Sequence, residues 1–356
     1  MSQRENVNPR REQDHRKNSR RYQKRAAARR RRNTIFIMEI VLLLILAVVL
    51  FFVSKLSKIE KTKLDMDKIE VNEDISQESR KIMKGYQTIA MFGLDNRSNG
   101  NLSQGRSDVI MLANINNDTK EVKLVSVYRD TYLDTGDGIF QKCNAAYAKG
   151  GPEQAISMLN VNLDLNITDY VTVDFNSIIE CVDLLGGVDM EITDDEASLM
   201  TGYIRELNEL TGNKAENLTQ GGTYTLNGVQ ACAYARIRYG GGDDYRRTER
   251  QRTVLTAMVK KAQQSDLTTV NKLINEVCGD IQTSFSNAEL LALASQVFQY
   301  SIGDTTGFPF TKTTRVLSKK TGDVVIPCDL SDNVKELHIF LYEDSAYTAS
   351  DTVKQN

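Results

Sequence analysis

Residues 86–128 read YQTIAMFGLDNRSNGNLSQGRSDVIMLANINNDTKEVKLVSVY. Three apolar runs lie inside this stretch, at 86–94, 108–115 and 121–128. They are short, rich in β-branched and aromatic residues, and bounded by Asn, Asp, Gly and Ser, which is the pattern of strands. The Asn-Asn-Asp-Thr-Lys turn at 116–120 joins the last two into an expected hairpin. Downstream, the pattern changes to helical spacing. Gly-Gly-Pro at 150–152 opens a helix over EQAISMLNVNL, because proline is tolerated in a first turn. A strand at 169–174 (DYVTVD) precedes a helix over FNSIIECVDLL, which Gly186 and Gly187 close. Helical patterns recur at 247–264, 268–277 and 286–300, and ELHIFLY near 336–342 reads as a final strand. Strands interleaved with helices predict an α/β fold, a three-layer α/β/α sandwich with a mixed central sheet.

Upstream of this domain the composition changes sharply. Residues 34–53 (TIFIMEIVLLLILAVVLFFV) are apolar apart from Glu39. About 20 such residues at roughly 1.5 Å each span the hydrocarbon core of a bilayer. Before this run stand 13 Lys and Arg against 3 Asp and Glu, and beyond it 32 basic against 43 acidic residues. Basic residues are retained on the cytoplasmic side, so the N-terminus is expected inside and the large domain outside the membrane. The length of the basic and apolar regions favours an uncleaved signal anchor over a cleaved signal peptide. The Arg-rich tail could also meet nucleic acid, but no DNA-binding module accompanies it, and a topogenic, headgroup-contacting role is the simpler reading. The expected organisation is a basic cytoplasmic tail (1–33), a transmembrane anchor (34–54), a polar stalk (55–84), a single large domain (85–350) and a short tail (351–356).

Two residue types restrict the chemistry. All five cysteines (Cys143, Cys181, Cys232, Cys278, Cys328) lie beyond the apolar run, in an odd number and without a CxxC pair, which argues against a disulfide framework or a zinc site. Only His15 and His338 are present, so acid–base work falls to Asp, Glu, Lys, Arg or Tyr.

Four polar clusters punctuate the domain. The ends of the first two strands each offer an Asp and an Arg: Asp95 with Arg97, and Arg106 with Asp108. Paired carboxylates can hold a hard divalent cation such as Mg²⁺, although such residues are as readily solvated or ion-paired. The hairpin ends in SVYRDT, containing Arg129, and Lys142 begins KCNAAYAKGG. The densest cluster is YARIRYGGGDDYRRTERQ at 234–251. If 236–238 is extended, Arg236 and Arg238 share a side. A helix beginning near Asp244 places Asp244, Arg247 and Gln251 on one face, with Asp244 near the positive helix end. Guanidinium groups converging with carboxylates suit a pyrophosphate. A solvated helix face laced with ion pairs is the competing reading of the same residues.

In their order, FGLDNR, GRSD, VSVYRDTY, KCNAAYAKGG, VDLLGGVD, LNGVQACAYARIRY and DYRRTERQRTVL resemble the LytR-CpsA-Psr family over residues 86–265. The resemblance implies a membrane-anchored transferase with a deep apolar pocket for a polyprenyl-pyrophosphate lipid. Such an enzyme moves an anionic glycopolymer, wall teichoic acid or capsular polysaccharide, onto peptidoglycan. By motif position, Asp95 and Asp108 would hold Mg²⁺, with Mn²⁺ as a substitute. Arg106, Arg129, Lys142, Arg236, Arg238, Arg247 and Gln251 would bind the pyrophosphate. Asp244, Arg129 and Arg247 would be the catalytic group, Asp244 being the candidate base. Membrane lipid, lipid-linked glycopolymer and peptidoglycan are the implied partners, and nucleic acid is not. A membrane-tethered pyrophosphatase, or a non-catalytic lipid-binding regulator of the envelope, would use the same site. Two positions depart from the family pattern: Tyr128 stands where proline is usual, and Leu133 where some members carry arginine.

Overall fold

The computed structural model describes residues 60–61, 64–94, 102, 105–238, 243–266, 269, 272–273 and 281–356. The basic tail, the apolar run at 34–54, Asp95, the triglycine at 240–242 and Cys278 lie outside the described residues. Among the described residues no helix is long and apolar enough to cross a membrane. The description below concerns one compact unit, Leu56–Asn356.

The strands are β1 (Glu60–Lys61), β2 (Tyr86–Leu94), β3 (Ser107–Asn116), β4 (Glu121–Val127), β5 (Tyr132–Asp134), β6 (Phe140–Lys142), β7 (Asp169–Asp174), β8 (Val188–Ile192), β9 (Gly222–Leu226), β10 (Ile281–Thr283), β11 (Ser301–Phe308), β12 (Lys312–Ser318) and β13 (Gly322–Pro327). The helices are α1 (Gln77–Met83), α2 (Ala145–Leu163), α3 (Phe175–Leu184), α4 (Asp194–Thr211), α5 (Gly228–Arg236), α6 (Asp243–Gln264), α7 (Asn287–Ser295), α8 (Leu330–Tyr342) and α9 (Asp351–Gln355).

Seven strands form a mixed sheet in the order β1-β10-β7-β2-β3-β4-β11. The expected hairpin is present: β3 pairs antiparallel with both β2 and β4. Parallel contacts join β2 to β7 and β4 to β11. Successive side chains of a strand leave on opposite faces, and both faces here are buried. Ala90, Phe92, Ile110, Leu112, Val125 and Val127 enter one core with α2 and α8. Ile89, Met111, Ala113, Ile115, Val122 and Leu124 enter another, against Leu255 of α6 and Leu290 and Leu293 of α7. This double burial explains why the runs in 86–128 are continuously apolar instead of alternating. A third core joins α3, α4, α5 and β8–β9 to the far half of α6.

Helix starts follow local chemistry. Asp174 accepts from the Ser177 amide to open α3, and capping boxes open α4 (Thr193 with Glu196) and α5 (Asn227 with Gln230). In α2, Gly151 adopts φ 65°, and the regular helix resumes from Pro152, as the sequence implied.

Three expectations change. ELHIFLY is not a strand but the end of α8. Asp329 caps that helix, and Val334, Leu337, His338, Leu341 and Tyr342 are buried at helical spacing. The expected stalk is, from Leu64 onward, part of the folded unit. Ile75 and Met83 enter the main core, Leu64, Ile69 and Val71 pack against it, and buried Asn72 donates to the Val161 carbonyl at 2.8 Å. Its apolar residues are sparse, yet they face one way. The short tail at 351–356 likewise forms α9 and buries Val353.

Candidate active site

The ends of β3 and β4, the end of β6 and the start of α6 meet at one edge of the sheet. A polar cavity of about 570 Å³ opens there, lined by Arg106, Asp108, Arg129, Asp130, Lys142, Asn144, Arg238 and Asp323. Arg129 lies at its centre. Its Nη1 is 2.9 Å from Asp108 Oδ1, and its Nε is 3.5 Å from Asp130 and 3.7 Å from Asp244. Lys142 Nζ is 2.9 Å from Asp130, and Arg247 Nη2 is 2.8 Å from Asp244. Burial works against the Arg129 charge, but Asp108, Asp130 and Asp244 outweigh it and hold the guanidinium above its ordinary pKa. Arg247 is shifted the other way. Burial lowers it, and Arg129 and Arg238 add to the effect against the pull of Asp244.

Backbone contacts explain the convergence. The Asn144 amide donates to the Arg129 carbonyl at 3.1 Å, and the Cys143 amide donates to the Thr131 carbonyl at 2.8 Å, which folds Lys142 back beside Asp130. The fully buried Cys143 thiol donates to the Tyr128 and Arg129 carbonyls, and burial pushes its pKa up. It is a structural donor and no nucleophile. The Val325 amide donates to the Asp130 carbonyl at 2.9 Å, and that contact brings β13 and Asp323 to the cavity.

Several polar atoms here lack a well-formed hydrogen bond: both carboxylate oxygens of Asp244, Nε and Nη2 of Arg247, and Nε of Arg129, all buried. Their charges are close, but their lone pairs and N–H vectors are misaligned. Buried polar groups left in this state are costly unless something else satisfies them. Anionic acceptors for Arg129 and Arg247 and a hydrogen-bond donor for Asp244 would satisfy them.

Beside this cavity is an apolar slot of about 120 Å³ between the sheet and the α3–α5–α6 lobe. Val109, the neighbour of Asp108, lines it with Met91, Val171, Phe175, Ala235 and Met258. Gln251 lines this slot and is not among the residues around the polar cavity, and its Oε1 is buried without a hydrogen bond. Arg236 turns away from the polar cavity altogether. It closes α5, pairs with Glu206 at 3.1 Å and lies over the rings of Phe175 and Tyr203. The backbone at 236–238 is not a strand: Arg236 is helical and Ile237 is the extended cap. The structure therefore gathers Arg106, Asp108, Arg129, Lys142, Arg238, Asp244 and Arg247, with Gln251 on the apolar side. Arg247 is 5% exposed, which excludes a solvated helix face at that position.

Sequence reasoning passed over Asp130, Asn144 and Asp323 as ligands. The first two sit inside quoted motifs, whereas nothing local marks Asp323. Of the two departures, Tyr128 is 6% exposed and its ring packs edge-on against Tyr245 at 4.6 Å. Its amide donates to the Phe308 carbonyl at 3.0 Å, a bond that proline cannot make. Leu133 is 1% exposed within the main core and does not line the polar cavity. His338 is fully buried, donates from Nε2 to the Leu163 carbonyl at 3.0 Å, and stacks on Tyr347, so it belongs to the packing.

The model of the LytR_cpsA_psr family matches residues 46–315. The chain belongs to the LytR-CpsA-Psr family. A relative from Enterococcus faecalis, named polyisoprenyl-teichoic acid–peptidoglycan teichoic acid transferase TagU, is 30% identical over 210 residues, 58% of this chain and 64% of the relative. The Bacillus subtilis transferase TagV is 30% identical over 53% of this chain and 48% of its own length. The chain spans less than two thirds of the length of either relative. Among solved structures, Bacillus subtilis TagV superposes with a TM-score of 0.57 at 25% identity, over 75% of this chain and 99% of that one. YwtF (TagT) with bound octaprenyl pyrophosphate lipid superposes with a TM-score of 0.56 at 20% identity, over 79% and 99%. This last likeness concerns the fold, a mixed α/β unit around a mixed central sheet.

Proposed function

We propose that this LytR-CpsA-Psr protein is a membrane-anchored phosphotransferase acting at the outer face of the membrane. It would move an anionic glycopolymer, wall teichoic acid or capsular polysaccharide, from a polyprenyl-pyrophosphate carrier to peptidoglycan. The observation that carries this reading is the juxtaposition of a basic polar cavity and an apolar slot at adjacent residues, Asp108 and Val109. A pyrophosphate with a hydrocarbon tail has that same division. The transferases named among the relatives and the lipid in the TagT structure support the assignment. The apolar run at 34–54 supports the anchor, and the basic residues before it favour a cytoplasmic N-terminus.

In the reaction the acceptor hydroxyl oxygen bonds to the glycan-bearing phosphorus while the bridging P–O bond to the polyprenyl phosphate breaks. The hydroxyl proton passes to Asp244, whose two oxygens hold no formed hydrogen bond. Arg129, Arg247, Arg238, Arg106 and Lys142 neutralise charge on the transferred and departing phosphates, and catalysis by positioning and electrostatics requires no histidine. Asp108, together with Asp95, would hold Mg²⁺ or Mn²⁺, which would supply further neutralisation. Among the described residues no three possible ligands gather around one point. The slot is small, about 120 Å³.

The test offers the full-length protein a polyprenyl-pyrophosphate glycan, Mg²⁺ and peptidoglycan. Glycan attachment that Asp244→Asn abolishes while lipid binding persists is the expected result. Phosphate release without attachment would replace the transferase with a hydrolase, which the exposed rim at Arg106 and Arg238 would admit. Lipid binding without turnover would leave a regulator.

A further inference from the structure

The β5–β6 ribbon that brings Lys142 to the polar cavity also lines a second cavity, of about 400 Å³. This volume falls within the range of small-ligand sites, roughly 300–1,000 Å³. It is lined by Tyr132 and Phe140 from the β5–β6 ribbon, Pro327 at the end of β13, Asp329 at the α8 cap, and Lys354 and Asn356 at α9. Strand register ties it to the polar cavity through that one ribbon. Tyr132 lies directly opposite Lys142, and Lys142 lines the polar cavity. Phe140 and Lys142 are two apart on β6, so they share a face of the ribbon. The ribbon thus presents a cation at the reaction centre and two aromatic rings leading away from it.

The two rings are tilted by 34° with centroids 6.0 Å apart. Partly exposed aromatic faces next to amide, hydroxyl and carboxylate groups match a pyranose, which has apolar C–H faces and a polar equator. Charge narrows the choice. Here the lining holds one carboxylate (Asp329), and its one ammonium (Lys354) is paired with Asp351 at 2.9 Å, in contrast to the basic excess around Arg129. A polyanion gains nothing from this balance, whereas a neutral amino-sugar chain loses nothing.

We propose that this groove seats the glycan strand of the acceptor, one or two N-acetylhexosamine residues beyond the hydroxyl that reacts. The proposal rests on the transferase reading and gives it a direction: the acceptor approaches along β5–β6 and β13 while the lipid lies on the α6 side.

Cys328 provides the measurement, because this exposed free thiol lines the groove. Alkylation of the full-length protein by a maleimide is followed at Cys328 by peptide mapping, with a tetramer of N-acetylglucosamine as probe. At ten times its dissociation constant the tetramer is expected to slow alkylation about tenfold, since only the free fraction reacts. Phe140→Ala, and separately Tyr132→Leu, are expected to require about tenfold more tetramer for the same protection. Arg129→Met should leave protection intact while abolishing farnesyl pyrophosphate binding. An unchanged rate in the wild type at saturating tetramer overturns the proposal, whatever the variants do. Protection by a glycerol-phosphate oligomer in place of the tetramer also overturns it, reassigning the groove to the donor polymer. Protection by the tetramer in a protein that binds no pyrophosphate lipid would sink the transferase reading and leave the glycan site standing.

Discussion

Arg129→Met removes the central charge of the cavity and keeps most of the buried stem. The guanidinium stands 2.9, 3.5 and 3.7 Å from three carboxylates. At about 4 Å and an effective dielectric of about 20, each such contact is worth on the order of 4 kcal/mol before desolvation is subtracted. Breaking a buried pair costs about 3–5 kcal/mol. Arg129 is 14% exposed and its partners 19–25%, so solvent screens part of this. A loss of about 2–3 kcal/mol remains. For a unit of about 300 residues, an unfolding entropy of about 2.1 cal/mol/K per residue converts this into a Tm lower by about 3–5 °C. Ligand binding suffers more, because a charge-assisted contact worth about 1.5–3 kcal/mol disappears and three carboxylates then face the anion. Affinity for farnesyl pyrophosphate should fall about 100-fold or more. The assay pairs calorimetric titration with thermal unfolding at about 0.05 M and about 1 M salt. Salt screens the repulsion among the three stranded carboxylates, so the Tm gap between variant and wild type should narrow at the higher salt. An equal gap at both salt concentrations, or an affinity loss below tenfold, would refute the electrostatic account.

Gly228→Ala tests the seat of α5: a Cβ there would lie 2.2 Å from the Ile179 carbonyl oxygen and 2.8 Å from its Cα. A helix-propensity gain of about 1 kcal/mol is outweighed by overpacking against backbone, and a lower urea midpoint is expected, whereas an unchanged one would contradict the close approach. Burial lowers the His338 pKa below 6.5, with the Leu163 carbonyl opposing the shift. The unfolded chain therefore binds the proton more readily, so stability is complete above about pH 6.5 and declines as pH falls toward the folded value. His338→Asn should flatten that acid limb in urea titrations at successive pH values, and a limb of unchanged slope would assign it to other groups. Ala235→Trp fills the apolar slot and should weaken binding of a long polyprenyl pyrophosphate at least about tenfold while sparing inorganic pyrophosphate. Equal losses for both ligands in a competition assay would place the tail elsewhere.

What the sequence determined by itself was local. Continuous apolar runs of strand length, an Asn-Asp turn and a proline after two glycines set β2–β4 and the second half of α2 before any contact was known. The same holds for Asp244, Arg247 and Gln251, whose common helix face follows from spacing alone. The family's motif order also belongs to the sequence, since it needs only residues in register. What the tertiary structure alone decided was non-local. ELHIFLY is short enough to suit a strand or a buried helix, and the choice fell to the Asp329 cap and the core waiting on one side of α8. Leu64, Ile69, Val71 and Ile75 are too sparse to announce a core, and they matter only because α2 and α9 supply the rest of it. Arg236 and Arg238 are two residues apart, yet the Ile237 cap ends a helix between them. One guanidinium meets Glu206 and the other the cavity. Asp323 reaches the site through a single amide on β13 that donates to Asp130. Periodicity and capping are written in neighbouring residues, whereas the partner of a long charged side chain is fixed by whichever distant element packs beside it.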